Sequence, residues 1–116
     1  LDHYARMVDV VDEVGAAITP GRSYADVFRR GQELLTQVTG KPPSWLTHVG
    51  HHIGLETEEE WITYREDLEI QPGMVINIEL YSQAPTGDYI GDEETFVVDS
   101  RGSTRRSQLA REIQPL

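Results

Sequence analysis

The hydrophobic pattern of this chain changes its period near residue 40, and this change constrains the fold more than any other feature. Before it, apolar residues recur every three to four positions, as they do along one face of a helix. After it, apolar and polar residues alternate, as in a strand buried on one face. Helices followed by strands predict an α+β fold, with a helical pair over residues 1–40 and a mainly antiparallel sheet and C-terminal segment over residues 41–116.

Each predicted helix has one apolar stripe and recognisable ends. The first stripe consists of Tyr4, Met7, Val8, Val11, Val14 and Ile18. Pro20 and Gly21 end this helix. Ser23 begins the second helix as its N-cap, with Asp26 as the reciprocal partner of a capping box, and Gly40 ends it. Neither helix carries a site residue on its stripe, so we interpret both as core elements.

The strand pattern after residue 73 places a carboxylate on a polar face. Alternation over residues 74–81 directs Glu79 away from the apolar face formed by Ile76, Ile78 and Leu80. A second strand is predicted over residues 93–99, and residues 81–91 are predicted to be the loop between the two. If the strands pair, Glu79 and Glu93 point to one side of the sheet. Weaker strand patterns occur at residues 47–51 and 55–56.

A histidine in a glycine-containing segment is placed to join these carboxylates. Gly50 and Gly54 flank the segment that holds His51, and they allow close backbone approach. One imidazole and two carboxylates suit first-row divalent metals. By residue type alone two interpretations stay open: part of a metal-ligand set, or solvated positions without a site. Trp45 and Trp61 flank the segment and are predicted to be buried against the helices, with a pocket wall as the alternative.

Composition excludes several classes of function. The chain has no cysteine, which rules out disulfides, thiolate-bound zinc and thiol catalysis. Its net charge of −10 argues against nucleic acid or an anionic membrane as a partner. A late basic cluster, at residues 101–111, is predicted to be a surface helix or tail. No apolar run reaches about 18 residues, so no membrane span is predicted. The lack of cysteine and of a signal-peptide pattern is consistent with a cytoplasmic location.

Three segments resemble, in order, the motifs of the creatinase, prolidase and methionine aminopeptidase family, the pita-bread metallohydrolases. Residues 50–54 resemble the family's Gly-His-Gly-x-Gly motif, residues 71–79 its Pro-Gly-Met strand, and residues 93–98 its final Glu-Asp-Thr strand. The preceding helices also follow the family's order. The resemblance implies a metal-dependent hydrolase of an amide or related C–N bond, of the aminopeptidase, dipeptidase or creatinase-like type, acting on a small peptide or small amide.

The resemblance implies roles for several of these residues. His51, Glu79 and Glu93 match ligands for two divalent ions of manganese, cobalt, iron or zinc, with Glu93 bridging both. Glu79 is also a catalytic candidate, because a ligand beside the attacking water can carry its proton. His52 and Tyr81 are candidates for substrate contact.

Three positions depart from the family's pattern. His52 stands where the family prefers a small residue. Glu58, a second catalytic candidate, stands where many of its peptidases have a histidine seven residues after the ligand histidine. Gly91 stands where proline-specific members often carry an arginine. The resemblance therefore does not imply a proline-specific peptidase.

The family's ligand set has two further members, both aspartates on strands before the first helix matched here. The chain begins at Leu1 without them, so we expect the C-terminal portion of a pita-bread domain, with little activity and possible lack of a bound metal on its own. We also expect an unpaired sheet edge, which favours a homodimer or pairing with another chain. The alternative is a catalytically inactive pita-bread binding module that acts through protein contacts.

Overall fold

Two helices pack on one face of a five-stranded antiparallel sheet in the computed structural model, which describes residues 2–54, 59–65 and 67–111. The elements are α1 Asp2–Ala16, α2 Tyr24–Thr39, β1 Gly50–His52, β2 Glu59–Trp61, β3 Val75–Gln83, β4 Tyr89–Val98 and β5 Ser103–Arg105. The strands lie side by side in the order β2-β1-β3-β4-β5. The predicted α+β class, with two helices followed by an antiparallel sheet, is confirmed.

Both ends of α2 follow from local chemistry. The Ser23 hydroxyl accepts a hydrogen bond from the Asp26 N–H at 3.2 Å, and the Asp26 carboxylate accepts one from the Ser23 N–H at 3.1 Å. This backbone hydrogen bond, together with the side chain of Arg29, lowers the pKa of Asp26. At the other end, Gly40 has a φ of 81° and its N–H donates to the Thr36 carbonyl. Neither helix has the length and apolarity needed to cross a bilayer, a finding limited to the described residues.

The hydrophobic core lies between the helices and the inner face of the sheet. Both helices and the two long strands contribute to it: Met7, Val10, Val11 and Val14 from α1, Tyr24, Val27, Phe28, Leu34 and Leu35 from α2, Ile76, Ile78 and Leu80 from β3, and Phe96 and Val98 from β4. Each such side chain stabilises the fold by about 1.5–3 kcal/mol relative to exposure. The alternation of β3 is therefore as predicted: its apolar residues face the helices, and Glu79 lies on the opposite, open face of the sheet.

The β3–β4 hairpin is longer than the sequence predicts. The predicted loop over residues 81–91 is wrong, because β3 continues to Gln83 and β4 begins at Tyr89, directly opposite it. Gly87, with a φ of 96°, makes the turn, and the Ala84 N–H donates to the Asp88 carbonyl at 2.7 Å. Turn-forming residues near Pro85 indicate where the hairpin turns. The length of its two strands depends on hydrogen bonds between them, which the turn residues do not predict.

An ion-pair network fastens the C-terminal segment to α1 and β4. The Arg111 side chain is 10% exposed; it contacts Asp12 of α1 at 2.5 Å and also Asp92 of β4. Its Nε lies 3.2 Å from Glu94, which also pairs with Arg105 of β5 at 3.1 Å. Burial lowers the pKa of Arg111, but the hydrogen bonds to Asp12 and Asp92 outweigh this effect and raise it overall. The prediction of a surface helix or tail is wrong for Arg105 and Arg111, which have carboxylate partners from other elements, whereas Arg101 and Arg106 are exposed.

The outer edge of β4 is only partly covered. β5 pairs with residues 96–98 of β4, and the Arg106 N–H donates to the Thr95 carbonyl at 2.9 Å. Within the described part of the chain, no strand pairs with residues 89–94 on this side. Their backbone groups therefore form an open strand edge.

Candidate metal centre

Three side chains from three strands meet on the open face of the sheet. His51, Glu79 and Glu93 each offer one ligand atom, and these atoms lie within 4.8 Å of one another. His51 is buried, Glu79 is half-buried and Glu93 is exposed. Ligand atoms about 2.1 Å from one ion lie within about 4 Å of each other, so small side-chain rotations suffice for a common ion. The donor set and its spacing fit a divalent metal.

Strand register explains why residues distant in the sequence converge here. Glu79 pairs directly with Glu93 across the hairpin. Directly opposite side chains lie on one face with Cβ atoms about 5 Å apart. On the other side of β3, His51 pairs with Asn77, two residues before Glu79. Because strand residues two apart share a face, His51 reaches the same side as both carboxylates.

Gly50 lets β1 approach β3 closely enough to present His51. A Cβ atom on Gly50 would lie 2.0 Å from the carbonyl oxygen of Asn77. β1 is held on both sides, since the Glu79 N–H donates to the Val49 carbonyl at 3.0 Å and the Ile62 N–H donates to the Gly50 carbonyl at 2.9 Å. Close backbone approach at this glycine is therefore a property of the fold, as the sequence predicts.

Replacing Gly50 by alanine is expected to destabilise the protein by about 2 kcal/mol or more, because the added methyl group meets a backbone oxygen that cannot rotate away. The measurement is the free energy of unfolding in urea. Gly31→Ala is the matched control: its added Cβ meets the Cγ1 methyl of Val49 at 2.7 Å, and a side chain can move. Alanine also has the higher helix propensity. A loss at Gly50 no larger than that at Gly31 would contradict this account.

The His51 ring has one nitrogen bound within the protein. Its Nδ1 lies 3.1 Å from the carbonyl oxygen of His52. A carbonyl oxygen only accepts, so Nδ1 carries the hydrogen and Nε2 of the neutral ring keeps its lone pair. The ring of Trp61 meets His51 edge-on, with centroids 5.1 Å apart. A fixed ring with a free Nε2 lone pair is the state that a metal-binding histidine requires.

Two side chains that the sequence analysis gave no role hold Glu93. The Asn77 amide donates to Oε1 of Glu93 at 2.5 Å, and the Thr95 hydroxyl donates to Oδ1 of Asn77 at 3.2 Å. Their sequence signal is their position, since Asn77 shares a strand face with Glu79, and Thr95 shares one with Glu93. Alternation indicates a shared face, but it does not indicate which neighbours hydrogen-bond.

His52 and Tyr81, the other predicted site residues that the structure describes, are not among the three converging ligands. His52 pairs with Ile76, a core residue, and is not among the converging ligands. Tyr81 lies two residues after Glu79 on the same strand face and is 51% exposed. Glu58 lies outside the described residues. Their predicted catalytic and substrate-binding roles stay predictions.

Tyr81 and Trp45 form an aromatic wall beside Glu79. Their rings are stacked, with centroids 5.1 Å apart and planes inclined by 13°. Tyr89 meets Tyr81 edge-on at 6.0 Å. A cleft beside the wall is lined by Trp45, Leu46, Thr47, His48, Glu79, Leu80 and Tyr81. Trp45 is 43% exposed, so the prediction that it is buried against the helices is wrong: Tyr81 supplies a stacking partner on the open face.

Gly91 lies opposite Tyr81 in the hairpin and leaves no space for a side chain. A Cβ atom here would lie 2.2 Å from the Leu80 carbonyl oxygen and 2.6 Å from Cβ of Tyr81. The close contact of the two strands therefore excludes an arginine at this position without movement of the backbone.

An antiparallel sheet that carries one histidine and two glutamates on its open face, with two helices behind it, is the arrangement expected of a pita-bread metallohydrolase. Residues 1–100 match the model of metallopeptidase family M24. The chain belongs to this family, and its fold is part of the pita-bread fold. No match to the chain is found among curated proteins.

Solved structures share this fold at low sequence identity. Prolidase from Pyrococcus furiosus is 22% identical, with a TM-score of 0.78 over 90% of this chain and 31% of the prolidase. Xaa-Pro dipeptidase from Bacillus anthracis is 21% identical, with a TM-score of 0.81 over 97% of this chain and 32% of the dipeptidase. The N-terminal domain of FACT complex subunit SPT16 from Cicer arietinum is 17% identical, with a TM-score of 0.70 over 84% of this chain and 26% of that chain. The chain thus spans about a third or less of the length of these relatives.

Proposed function

We propose that this chain supplies three metal ligands of an M24-type hydrolase that cleaves an amide or related C–N bond in a small peptide or small amide. The observation that carries the proposal is the convergence of His51, Glu79 and Glu93 within 4.8 Å. Membership of a metallopeptidase family supports the same class of reaction. Imidazole and carboxylate donors suit manganese, iron, cobalt or zinc, and the family resemblance implies that Glu93 would bridge two ions.

In the proposed hydrolysis, the metal ions and the residues of this chain have separate roles. Two divalent ions, when bound, lower the pKa of water and polarise the carbonyl to be attacked. Glu79, half-buried beside His51, accepts the proton of the attacking water and returns it to the leaving nitrogen. The hydrogen bond from Nδ1 to the His52 carbonyl holds the His51 ring so that Nε2 serves as the ligand. Glu58 is a further catalytic candidate on the family resemblance.

The substrate need not contain proline. Two of the structural relatives are named as a prolidase and an Xaa-Pro dipeptidase. The close strand contact at Gly91 leaves no room for the arginine that proline-specific members often carry. The stacked Tyr81 and Trp45 rings offer a flat surface beside Glu79 for an apolar group of a substrate, and His52 is a second candidate for substrate contact. A creatinase-like or other amide substrate is compatible with these features.

The remaining ligands are proposed to come from residues outside this sequence. Three protein ligands are fewer than the family uses for two ions, so the chain by itself is expected to bind one ion weakly and to show little activity. The open edge of β4, at residues 89–94, supports pairing with another strand or with a second copy of the chain.

Metal titration of the chain tests this proposal. Calorimetry with Mn²⁺, Co²⁺, Fe²⁺ and Zn²⁺ is expected to show one saturable site per chain. Co²⁺ binding is also expected to quench the fluorescence of Trp61, whose ring lies 5.1 Å from that of His51. His51→Ala should remove both signals while leaving the circular dichroism unchanged. Absence of saturable binding for all four ions would overturn the proposal.

A second candidate is a binding module that kept the fold without catalysis. The similarity to a FACT complex subunit supports it, because that relative is named as a component of a complex. In this case the open face and the β4 edge would make protein contacts, and the three ligand-type residues would be dispensable. Partner binding that survives simultaneous replacement of His51, Glu79 and Glu93 would favour the module. Saturable metal binding that requires them favours the hydrolase.

A further inference from the structure

Asn77 is a buried polar residue on the otherwise open face of the central strand β3. It is only 5% exposed. A buried amide is costly unless both its donor and acceptor sides are satisfied. Here both are: the amide nitrogen donates to Glu93 at 2.5 Å, and the amide oxygen accepts from the Thr95 hydroxyl at 3.2 Å. The hydrogen bonds form a short chain from Thr95 through Asn77 to Glu93.

Donor and acceptor roles are fixed along this series of hydrogen bonds. A carboxylate only accepts, so the NH₂ side of the Asn77 amide must face Glu93. The opposite orientation would set the amide oxygen against a carboxylate oxygen. The Thr95 hydroxyl then donates to the amide oxygen and favours the same orientation. Thr95 therefore acts on Glu93 through Asn77.

Glu93 gains most from this support. It is the exposed member of the cluster, and it lies directly opposite another carboxylate, Glu79. A long exposed side chain loses rotamer freedom when it binds an ion, and two like charges repel until the ion arrives. A donor on one oxygen of Glu93 holds the side chain in place and offsets part of this repulsion. The second oxygen stays available to an ion.

We propose that Asn77, oriented by Thr95, is a positioning residue that holds Glu93 in its metal-binding conformation. This inference rests on the proposed metal site. The residue acts through Glu93 and does not itself become a ligand. Outer contacts of this kind typically change metal affinity by about 10- to 100-fold.

The dissociation constant for Co²⁺, measured by calorimetry together with the visible spectrum of the bound ion, tests the inference. Asn77→Ala is expected to weaken binding by about 10- to 100-fold and Thr95→Val by about tenfold, whereas Thr95→Ser keeps the hydroxyl and should restore affinity. Thr104→Val is the matched control, because Thr104 is an exposed threonine on the neighbouring strand β5 and should leave affinity unchanged.

A double-mutant cycle separates positioning from a merely structural role. If Asn77 acts through Glu93, then Asn77→Ala should have no further effect on Co²⁺ affinity in a Glu93→Ala background. Additive losses, or a lower urea midpoint for Thr95→Val with unchanged affinity, would overturn the inference. If the wild-type chain binds no Co²⁺, the proposed metal site is rejected, and the inference with it. The two failures are therefore distinguishable.

Discussion

Replacement of Glu79 or Glu93 by glutamine is expected to weaken binding of Co²⁺ or Mn²⁺ to the chain by more than about 100-fold, beyond the effect of losing an outer contact. Each change removes a charged ligand from a set whose ligand atoms lie within 4.8 Å. The amide oxygen left behind is neutral and a weaker donor to a divalent ion. Calorimetric titration of each variant, at fixed pH and ionic strength, measures the loss.

Glu94→Gln provides a control that is adjacent in sequence and equal in charge. The Glu94 side chain faces the opposite side of the sheet, where it is 8% exposed and pairs with Arg105 and Arg111. Its replacement should lower stability and leave metal affinity within about threefold, because it removes no ligand. Equal losses of affinity for Glu93→Gln and Glu94→Gln would show that the ions respond to net charge and not to a defined site.

Arg111→Met is expected to destabilise the protein by about 3 kcal/mol or more. The substitution removes the cation shared by Asp92 and Glu94, whose side chains are 10% and 8% exposed. Glu94 keeps its ion pair with Arg105, but Asp92 loses its cation in a poorly solvated place, and breaking a buried ion pair in this way typically costs about 3–5 kcal/mol. The free energy of unfolding in urea, with unchanged slope, is the measurement.

Two further variants test whether the loss of stability comes from the buried ion pairs of Arg111. Arg101→Met alters an exposed arginine in the turn between β4 and β5 and should change stability by less than about 0.5 kcal/mol. Adding Asp92→Asn to Arg111→Met should recover part of the loss, because the carboxylate that has lost its cation is then neutral. If Arg111→Met costs no more than Arg101→Met, the network does not stabilise the fold.

The ion-pair network and the candidate metal centre use alternate residues of one strand. Asp92 and Glu94 point toward the helices, and Glu93 between them points to the open face. The ion pairs of Arg111 therefore hold β4 on the side of the sheet that faces the helices, and Arg111 does not contact the three converging ligands. This division follows from the two-residue period of a strand.

Much of the fold was predictable because its signals are local. The period of the apolar residues placed the two helices, and the capping box of Ser23 and Asp26 placed the start of α2. Alternation placed Glu79 on the face away from the core, and the motifs around His51, Glu79 and Glu93 pointed to the family that the whole-chain comparison identified. Each of these signals depends on residues close together in the chain.

Tertiary structure decided how the separate pieces meet. A strand pattern determines which face a residue occupies, but a shift in register by two residues keeps every face and moves each pair apart by about 7 Å. Only the observed register sets Glu79 opposite Glu93 and His51 opposite Asn77. The support of Glu93 by Asn77 and the pairing of Arg111 with α1 likewise depend on contacts between distant segments. The sequence by itself thus determined the two helices, the central strand β3 and the faces of the residues on them, but not the full extent of the hairpin or the short outer strands. The register, and with it the candidate metal centre, depended on backbone pairing and packing that no local pattern records.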